Sequence, residues 1–208
     1  DSQLQGHNFG NLFLTAMEQV TGDFETAVRE SSKILAIRGK VVPSTVNNVH
    51  LAAEYDDGRV TEGEAKIPQP GARINRVFLK PQDAVGTREA LEAIQEADII
   101  VLGPGSLYTS VIPNLLIADI AEAIVASPAY KIYVCNVMTQ PGESEGYSAS
   151  EHVEAIVKHS HRDVIDACIV NNAEVPSDAL GRYKTEDSFP VEADYQRIQA
   201  MGYEVVST

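Results

Sequence analysis

Two glycines and two hydroxyl side chains directly follow a short apolar run near the middle of the chain. The apolar run ends at Leu102, and Gly103, Gly105, Ser106 and Thr109 come next. Glycine lets the backbone approach a ligand closely, and hydroxyl groups can donate hydrogen bonds to that ligand. A continuous apolar strand is typical of a parallel sheet, whose ligands bind just past the carboxyl ends of the strands. The pattern therefore predicts a ligand-binding loop, and an ordinary strand-to-helix turn is the alternative, because glycine and serine are common in both.

Polar side chains also follow the next two apolar runs of the chain. Asn136 and Thr139 come after the first of these runs, and Asn171 and Asn172 come after the second. If the strands are parallel, all three strand ends meet at one edge of the sheet. Turns need polar residues in any case, so each group alone is weak evidence. Together they predict a binding site built from amides and hydroxyls.

A third polar group lies at the start of the chain. Gly6, His7, Asn8, Gly10 and Asn11 open the first predicted helix. Asn8 can cap this helix, and a helix N-terminus attracts anions. The segment therefore suits one wall of an anion-binding cleft. A capped helix with an exposed histidine is the alternative interpretation.

The sequence gives little support for a metal site or for catalysis by a nucleophilic side chain. His152, His159 and His161 lie close along the chain, but no cysteine or carboxylate completes a recognisable set of metal ligands. The chain has neither the Gly-x-Ser-x-Gly turn of serine hydrolases nor a Gly-Lys-Ser phosphate loop. No catalytic nucleophile, metal site or certain cofactor is predicted from the residues.

The chain is strongly acidic, and this limits the partners that it could bind. It has 208 residues and a formal net charge of −14. Such a charge repels nucleic acid and anionic membrane surfaces, so neither nucleic-acid binding nor membrane insertion is expected. A phosphorylated ligand would be repelled as well. It would need backbone N–H groups, a divalent cation or a few placed basic side chains.

The cysteines and the hydropathy pattern favour a cytoplasmic location. Cys135 and Cys168 both lie within apolar runs, which is typical of buried thiols in a reducing compartment. No apolar stretch approaches the length of a membrane span, and no signal peptide opens the sequence.

The elements that must position these residues change in character along the chain. Residues 9–19 and 24–35 carry apolar side chains at helical spacing. Residues 37–79 alternate instead, with a hairpin turn at 56–59 that contains Asp57 and Gly58. This texture predicts a small antiparallel subdomain inserted near residues 37–80.

From residue 88 onward, helical and strand patterns alternate. Helices are predicted over 88–96, 114–126, 148–159 and 194–201. Strands are predicted over 98–102, 131–135, 165–170 and 203–206. Repeated alternation predicts an α/β fold with a doubly wound, largely parallel sheet. Residues 1–208 are expected to form one such domain. Because two helices precede the earliest strand, the domain looks like a portion of a larger protein that is truncated at both ends.

The motifs resemble those of one family. The resemblance extends over essentially the whole chain and rests on residues 6–11 (GHNFGN), 38–43 (RGKVVP), 103–115 (GPGSLYTSVIPNL), 136–143 (NVMTQPGE) and 201–206 (MGYEVV). These motifs resemble the CofD-like family, which joins 2-phospho-L-lactate transferases to bacterial gluconeogenesis factors. The gluconeogenesis-factor branch fits better than the transferase branch.

The resemblance implies a fold, a ligand and a set of site residues. It implies a Rossmann-like fold, a cytoplasmic location, and a role in cell shape and in growth on gluconeogenic carbon sources. It also implies binding of a nucleotide-sugar such as a UDP-sugar. By the same resemblance, the ligand-binding residues are Gly6, His7, Asn8, Gly10, Asn11, Gly103, Gly105, Ser106, Tyr108, Asn136 and Thr139. Family members also have a glycine-rich strand–turn–helix at the start and a basic tail at the end, and neither occurs here.

Two functions of different classes follow from this resemblance. The first is a non-catalytic regulator that binds a UDP-sugar and signals to protein partners in cell-wall metabolism, a role compatible with a homo-oligomer. The second is a transferase that moves a phospholactyl group from a nucleotide donor to a deazaflavin alcohol with the help of magnesium. A purely structural α/β domain is the third interpretation, and the converging polar residues at the sheet edge argue against it.

Overall fold

A four-stranded parallel sheet forms one half of the molecule. The computed structural model describes residues 9–34, 39–68 and 72–208. The strands lie in the order β4-β5-β6-β7, and each pairs in parallel with its neighbour. Their bounds are Ile99–Leu102 for β4, Tyr130–Val134 for β5, Ala167–Val170 for β6 and Glu204–Ser207 for β7. The α/β class and the parallel pairing of the four predicted strands are therefore confirmed, with bounds that differ by one or two residues.

A three-stranded antiparallel sheet comes earlier in the chain, where the alternating pattern predicts an insertion. It contains β1 (His50–Tyr55), β2 (Val60–Glu62) and β3 (Ile74–Lys80), in the order β2-β1-β3. The tight turn between β1 and β2 closes with a 2.9 Å bond from the Tyr55 N–H to the Arg59 carbonyl. Gly58 occupies this turn with a φ of 82°, a conformation that favours glycine. The predicted hairpin is confirmed.

Helices occupy most of the predicted positions. Two helices precede the sheets, α1 (Phe9–Thr21) and α2 (Phe24–Ile34), and α3 (Arg88–Glu96) follows β3. After β5 comes α6 (Ala149–His159), which begins at a capping box formed by Ser148 and Glu151. The last helices are α7 (Ser177–Lys184) and α8 (Tyr195–Ala200), and α7 was not predicted.

The prediction of a single helix over residues 114–126 is wrong. The chain instead forms a π-helical turn over Leu107–Val111, the short helix α4 (Ile112–Leu115) and the longer helix α5 (Ala118–Ala126). The helical axis bends by 75° between the first two of these elements and α5. The break lies at Ile117, which adopts an extended ψ of 108° and is only 3% exposed. The extended backbone of this buried residue therefore separates the two helices.

The core lies between the two sheets and the helices that follow them. The parallel sheet contributes three buried side chains to this core, those of Leu102, Tyr133 and Cys168, and all three lie on one face of the sheet. The helix α6 contributes Val153 and Ile156, both fully buried. Both cysteines are free and buried, as the sequence predicts. Burial raises the pKa of the Cys135 thiol to about 12, so the thiol is neutral at ordinary pH.

Candidate functional site

The carboxyl ends of β4 and β5 meet at one edge of the parallel sheet. Gly103 has a φ of 81°, and a Cβ atom there would lie 3.1 Å from the Val134 carbonyl oxygen of the neighbouring strand. The Asn136 side chain donates a 2.9 Å hydrogen bond from Nδ2 to the Gly105 carbonyl. The structure thus brings together the two loops in which the sequence places most of the candidate site.

Ser106 starts the π-helical turn that follows β4. Its carbonyl oxygen accepts hydrogen bonds from the N–H groups of Ser110 at 2.9 Å and Val111 at 3.0 Å. The Ser106 hydroxyl makes no capping hydrogen bond to this turn, and the residue is half-buried. The hydroxyl is therefore available to a ligand, while the backbone of the residue fixes its position.

Asn136 has a second polar atom that the fold leaves unmatched. Its Oδ1 atom is buried and has no hydrogen-bond partner among the residues that the structure describes. A buried acceptor without a donor costs free energy, which a water molecule or a donor group of a ligand would recover. Asn136 therefore holds the Gly105 backbone on one side and presents an acceptor on the other.

Tyr108 and Thr139 lie deeper than the other candidates. Tyr108 is 3% exposed, and its hydroxyl shares a 2.8 Å hydrogen bond with the hydroxyl of Tyr147. Burial and this bond raise the pKa of Tyr108 well above its usual value. Thr139 is 4% exposed, and its Oγ1 accepts a 3.0 Å bond from the Phe189 N–H. Both hydroxyls are engaged by the protein itself, so in this structure the two residues support the loops.

Sequence reasoning missed Glu143 as a site residue. It is 3% exposed, and its carboxylate accepts hydrogen bonds from the Tyr108 N–H at 3.0 Å, the Thr109 hydroxyl at 2.8 Å and the Gln140 side-chain amide at 3.1 Å. Burial raises the pKa of this carboxyl, and the donors around it lower that pKa. The glutamate ends the motif 136–143, but periodicity alone does not distinguish a buried loop carboxylate from a solvated one.

Gly142 explains why the backbone can present Glu143 inward. It has a φ of 74°, and a Cβ atom there would lie 2.6 Å from the backbone of Pro68. No other residue type fits such an approach without moving the backbone. The loop after β5 is therefore pinned against the segment that joins β2 to β3.

The N-terminal group of candidates is only partly covered by the structure. Gly6, His7 and Asn8 lie outside the described residues. Gly10 is exposed, and Gly10 and Asn11 belong to the first turn of α1. The prediction that this segment forms one wall of the cleft remains a prediction.

The third strand end contributes a neighbouring cavity. After β6, Asn171 donates a 2.8 Å bond from Nδ2 to the Ala173 carbonyl, so its amide stabilises the local loop. A cavity of about 410 Å³ lies beside it, and Val137, Leu180 and Tyr195 contribute apolar walls. The polar edge of the sheet therefore continues into a partly apolar hollow.

The histidines of α6 serve the fold. Nδ1 of His152 bonds to the Ser148 carbonyl at 2.8 Å, and Nε2 of His159 accepts a 3.0 Å bond from the Val77 N–H. Burial lowers the pKa of both side chains, so both are neutral at ordinary pH. Within residues 9–34, 39–68 and 72–208, no group of three or more histidine, cysteine or carboxylate side chains is arranged to hold a metal ion.

None of the described helices is by itself long and apolar enough to cross a bilayer. Leu107–Leu115 and Ala118–Ala126 reach that length and composition only as a pair, and the pair is bent by 75°.

Known proteins resemble this chain over its full length. The profile of the family described as "2-phospho-L-lactate transferase CofD" matches residues 1–208. A protein named gluconeogenesis factor from Bacillus subtilis is 48% identical over 205 residues, which cover 99% of this chain and 65% of that protein. Another gluconeogenesis factor, from Halalkalibacterium halodurans, is 46% identical over 204 residues, 98% of this chain and 63% of that protein. The chain thus spans somewhat less than two-thirds of the length of these relatives.

A solved structure supports the same relationship. A crystal structure of a UPF0052 family member from Bacillus halodurans superposes with a TM-score of 0.93 and 45% sequence identity. The match covers 100% of this chain and 68% of that one.

Proposed function

Because the chain belongs to the CofD family, with relatives named gluconeogenesis factor, we propose that it binds a nucleotide-sugar such as a UDP-sugar. The binding site is the carboxyl edge of the parallel sheet, where the loops after β4 and β5 meet. In this proposal the protein is a regulator that supports cell shape and growth on gluconeogenic carbon sources, through partners in cell-wall metabolism.

The bond between Asn136 and Gly105 is the observation that carries the proposal. This 2.9 Å bond joins two strand-end loops at the edge where α/β sheets bind ligands. Around it lie groups that suit a sugar and a diphosphate, namely a free serine hydroxyl, an unmatched amide oxygen and backbone that is accessible at Gly105. A net charge of −14 gives no general attraction for a diphosphate, so local donors such as the serine hydroxyl and backbone N–H groups must provide the binding, while the amide oxygen suits a sugar hydroxyl.

Phospholactyl transfer is the second candidate function. The description of the family profile favours it, because that description names a 2-phospho-L-lactate transferase. In this case a magnesium ion would be needed to offset the phosphate charge. Incubation of the whole protein with a nucleotide donor, a deazaflavin alcohol and magnesium separates the two functions, since only the transferase forms the phospholactyl product.

Ser106→Ala tests the proposed site most cleanly. The substitution removes a hydroxyl that caps nothing, so we expect the fold to remain intact. Loss of a hydrogen bond to a charged phosphate costs about 1.5–3 kcal/mol, so UDP-sugar affinity should fall by about tenfold or more. Titration calorimetry on the whole protein measures this change.

The controls separate a lost contact from a damaged fold. Thr61→Ala removes a half-buried hydroxyl from β2, in the other sheet, and should leave the affinity unchanged. Gly105→Val is a poorer probe, because even a Cβ atom at Gly105 would lie 3.3 Å from the Ser110 Cβ. Unchanged affinity in a folded Ser106→Ala protein would remove this loop from the site, and a wild type that binds no UDP-sugar would refute the proposed function.

A further inference from the structure

One buried carboxylate connects the two loops that form the proposed site. Glu143 belongs to the loop after β5, and two of its three hydrogen-bond donors, the Tyr108 N–H and the Thr109 hydroxyl, belong to the turn after β4. The third donor, the Gln140 amide, lies in the same loop as Glu143. Each carboxylate oxygen is used, Oε2 by Tyr108 and Oε1 by Thr109 and Gln140.

We propose that Glu143 is a positioning residue for the nucleotide-sugar site, and that its negative charge holds the turn after β4 in the binding conformation. This inference rests on the proposed function. Glu143 acts through the Tyr108 N–H and the Thr109 hydroxyl, and these two residues directly follow the Ser106 and Leu107 segment of the ligand loop.

The chemistry of the three hydrogen-bonding partners favours the charged form of Glu143. An ionised carboxylate only accepts hydrogen bonds, and here it meets an N–H, a hydroxyl and an amide NH₂. A protonated carboxyl carries a hydrogen of its own, which the Thr109 hydroxyl oxygen can accept but the Tyr108 N–H and the Gln140 NH₂ cannot. Protonation also removes the charge that strengthens the two remaining hydrogen bonds, so it weakens the link between the loops.

The loop after β5, which carries Glu143, is held in place by its own contacts and cannot easily move together with the turn after β4. Gly142 lies against the Pro68 backbone, with 2.6 Å between a Cβ placed there and the Pro68 carbonyl carbon. Ser144 is 1% exposed, and its N–H bonds to the Gln140 carbonyl at 2.9 Å. When the carboxylate loses its charge, we therefore expect the turn after β4 to move and the loop after β5 to stay.

The surroundings of Glu143 raise the pKa of its carboxyl above the usual value for a glutamate. Burial is the main cause that raises its pKa, and the negative charge of Glu64 raises it further. A cavity of about 390 Å³ lies on its other side, and the charged and titratable groups that line it are Asp56, Asp57, Arg73, Glu145 and Tyr147. Arg73 is the single cation among the described residues that line this cavity, and it is already paired with Glu151 at 3.0 Å and stacked on the Tyr147 ring. UDP-sugar affinity should therefore fall as the pH is lowered into the range where Glu143 binds a proton.

The test compares Glu143→Gln with Glu145→Gln in the whole protein. Glu145 is exposed and only two residues away, so its substitution removes the same charge without touching the link. Two quantities are measured: the hydrogen-exchange rate of the Tyr108 amide without ligand, and UDP-sugar affinity from pH 5 to pH 8. For Glu143→Gln we expect an amide exchange rate at least tenfold faster, an affinity at least tenfold weaker, and a flat pH profile. Glu145→Gln should leave the exchange rate of the Tyr108 amide and the affinity at pH 8 as in the wild type.

A second variant keeps the test decisive if Glu143→Gln does not fold. Thr109→Val removes one donor and leaves the carboxylate in place, so it should produce a smaller change of the same kind in both measurements. Faster exchange of the Tyr108 amide with unchanged affinity would overturn the inference, because the link would then not control the site. A wild type that binds no UDP-sugar would overturn the proposed function, and the exchange data would still decide whether Glu143 holds the turn.

Discussion

The two faces of the parallel sheet differ sharply in what covers them. On the inner face, which contacts the core, Leu102, Tyr133 and Cys168 are at most 9% exposed. On the outer face, Ile99 and Val101 are 58% and 54% exposed. Successive residues of a strand point to opposite faces, so β4 belongs to both environments at once.

This difference shows what a continuous apolar strand does and does not indicate. The run Ile99–Leu102 is apolar at every position, which is typical of a strand buried on both sides. Within the described residues, however, only the inner face is packed. On the outer face, the Tyr130 hydroxyl donates a 2.6 Å hydrogen bond to Glu204. This pair shields Ala167, which is 1% exposed. Packing free energy should therefore come mainly from the inner face.

A matched pair of truncations tests this comparison and should give the largest effect. Ile156 of α6 is 0% exposed in the core, so Ile156→Ala should lower the free energy of unfolding by about 2–5 kcal/mol, through lost burial and the cavity left behind. Ile99→Ala removes the same atoms from the outer face, and should cost less than about 1 kcal/mol. Urea unfolding followed by circular dichroism measures both. Similar losses at the two positions would contradict the comparison.

A second test uses a histidine of α6 that is fully buried in the protein interior. His152 is 0% exposed, and burial lowers its pKa below the usual value of 6.5. As the pH falls below 6.5, the unfolded chain therefore binds a proton before the folded chain does, and the free energy of unfolding decreases. For one proton the slope is at most about 1.4 kcal/mol per pH unit.

Substitution isolates this contribution from those of other groups. His152→Gln should remove part of the acid destabilisation that the wild type shows between pH 6.5 and pH 5 in urea unfolding. His50→Gln, at an exposed position of β1, serves as the control and should leave the pH dependence unchanged. If both variants keep the slope of the wild type, His152 is not a cause of the acid destabilisation.

The fold could be predicted from local patterns where one element serves one purpose. The strands around Ile132 and Ile169 and the hairpin at Gly58 were predicted because apolar runs and turn residues determine them directly. The helix over residues 114–126 was predicted wrongly, because the break lies at Ile117, a buried residue that is not of a helix-breaking type. The exposure of the outer face within the described residues could not be predicted either, since an apolar run does not indicate what will pack on each side of a strand.

The candidate site shows the same limit. Asn136 and Ser106 could be assigned to one edge of the sheet, because parallel strands end together. The roles of Tyr108 and Thr139 as buried supports could not be predicted, since a hydroxyl in a motif looks the same whether it meets a ligand or another protein group. Glu143 was not identified as a site residue, because a carboxylate in a glycine-containing loop is usually solvated and this one is buried.

The substitution with the smallest expected change in the free energy of unfolding is the most sensitive test of the comparison between the two faces. Val101→Thr keeps the shape of the side chain and its preference for strands, and adds a hydroxyl on the outer face. Because Val101 is 54% exposed, water can solvate that hydroxyl, and the free energy of unfolding should change by less than about 0.5 kcal/mol. Val153→Thr makes the same chemical change at a position of α6 that is 0% exposed, where burying a hydroxyl away from water should cost about 1–3 kcal/mol. Urea unfolding of the two variants under identical conditions gives both values. A loss at Val101 as large as that at Val153 would mean that the outer face is as dry as the core, and the contrast between the two faces would fail.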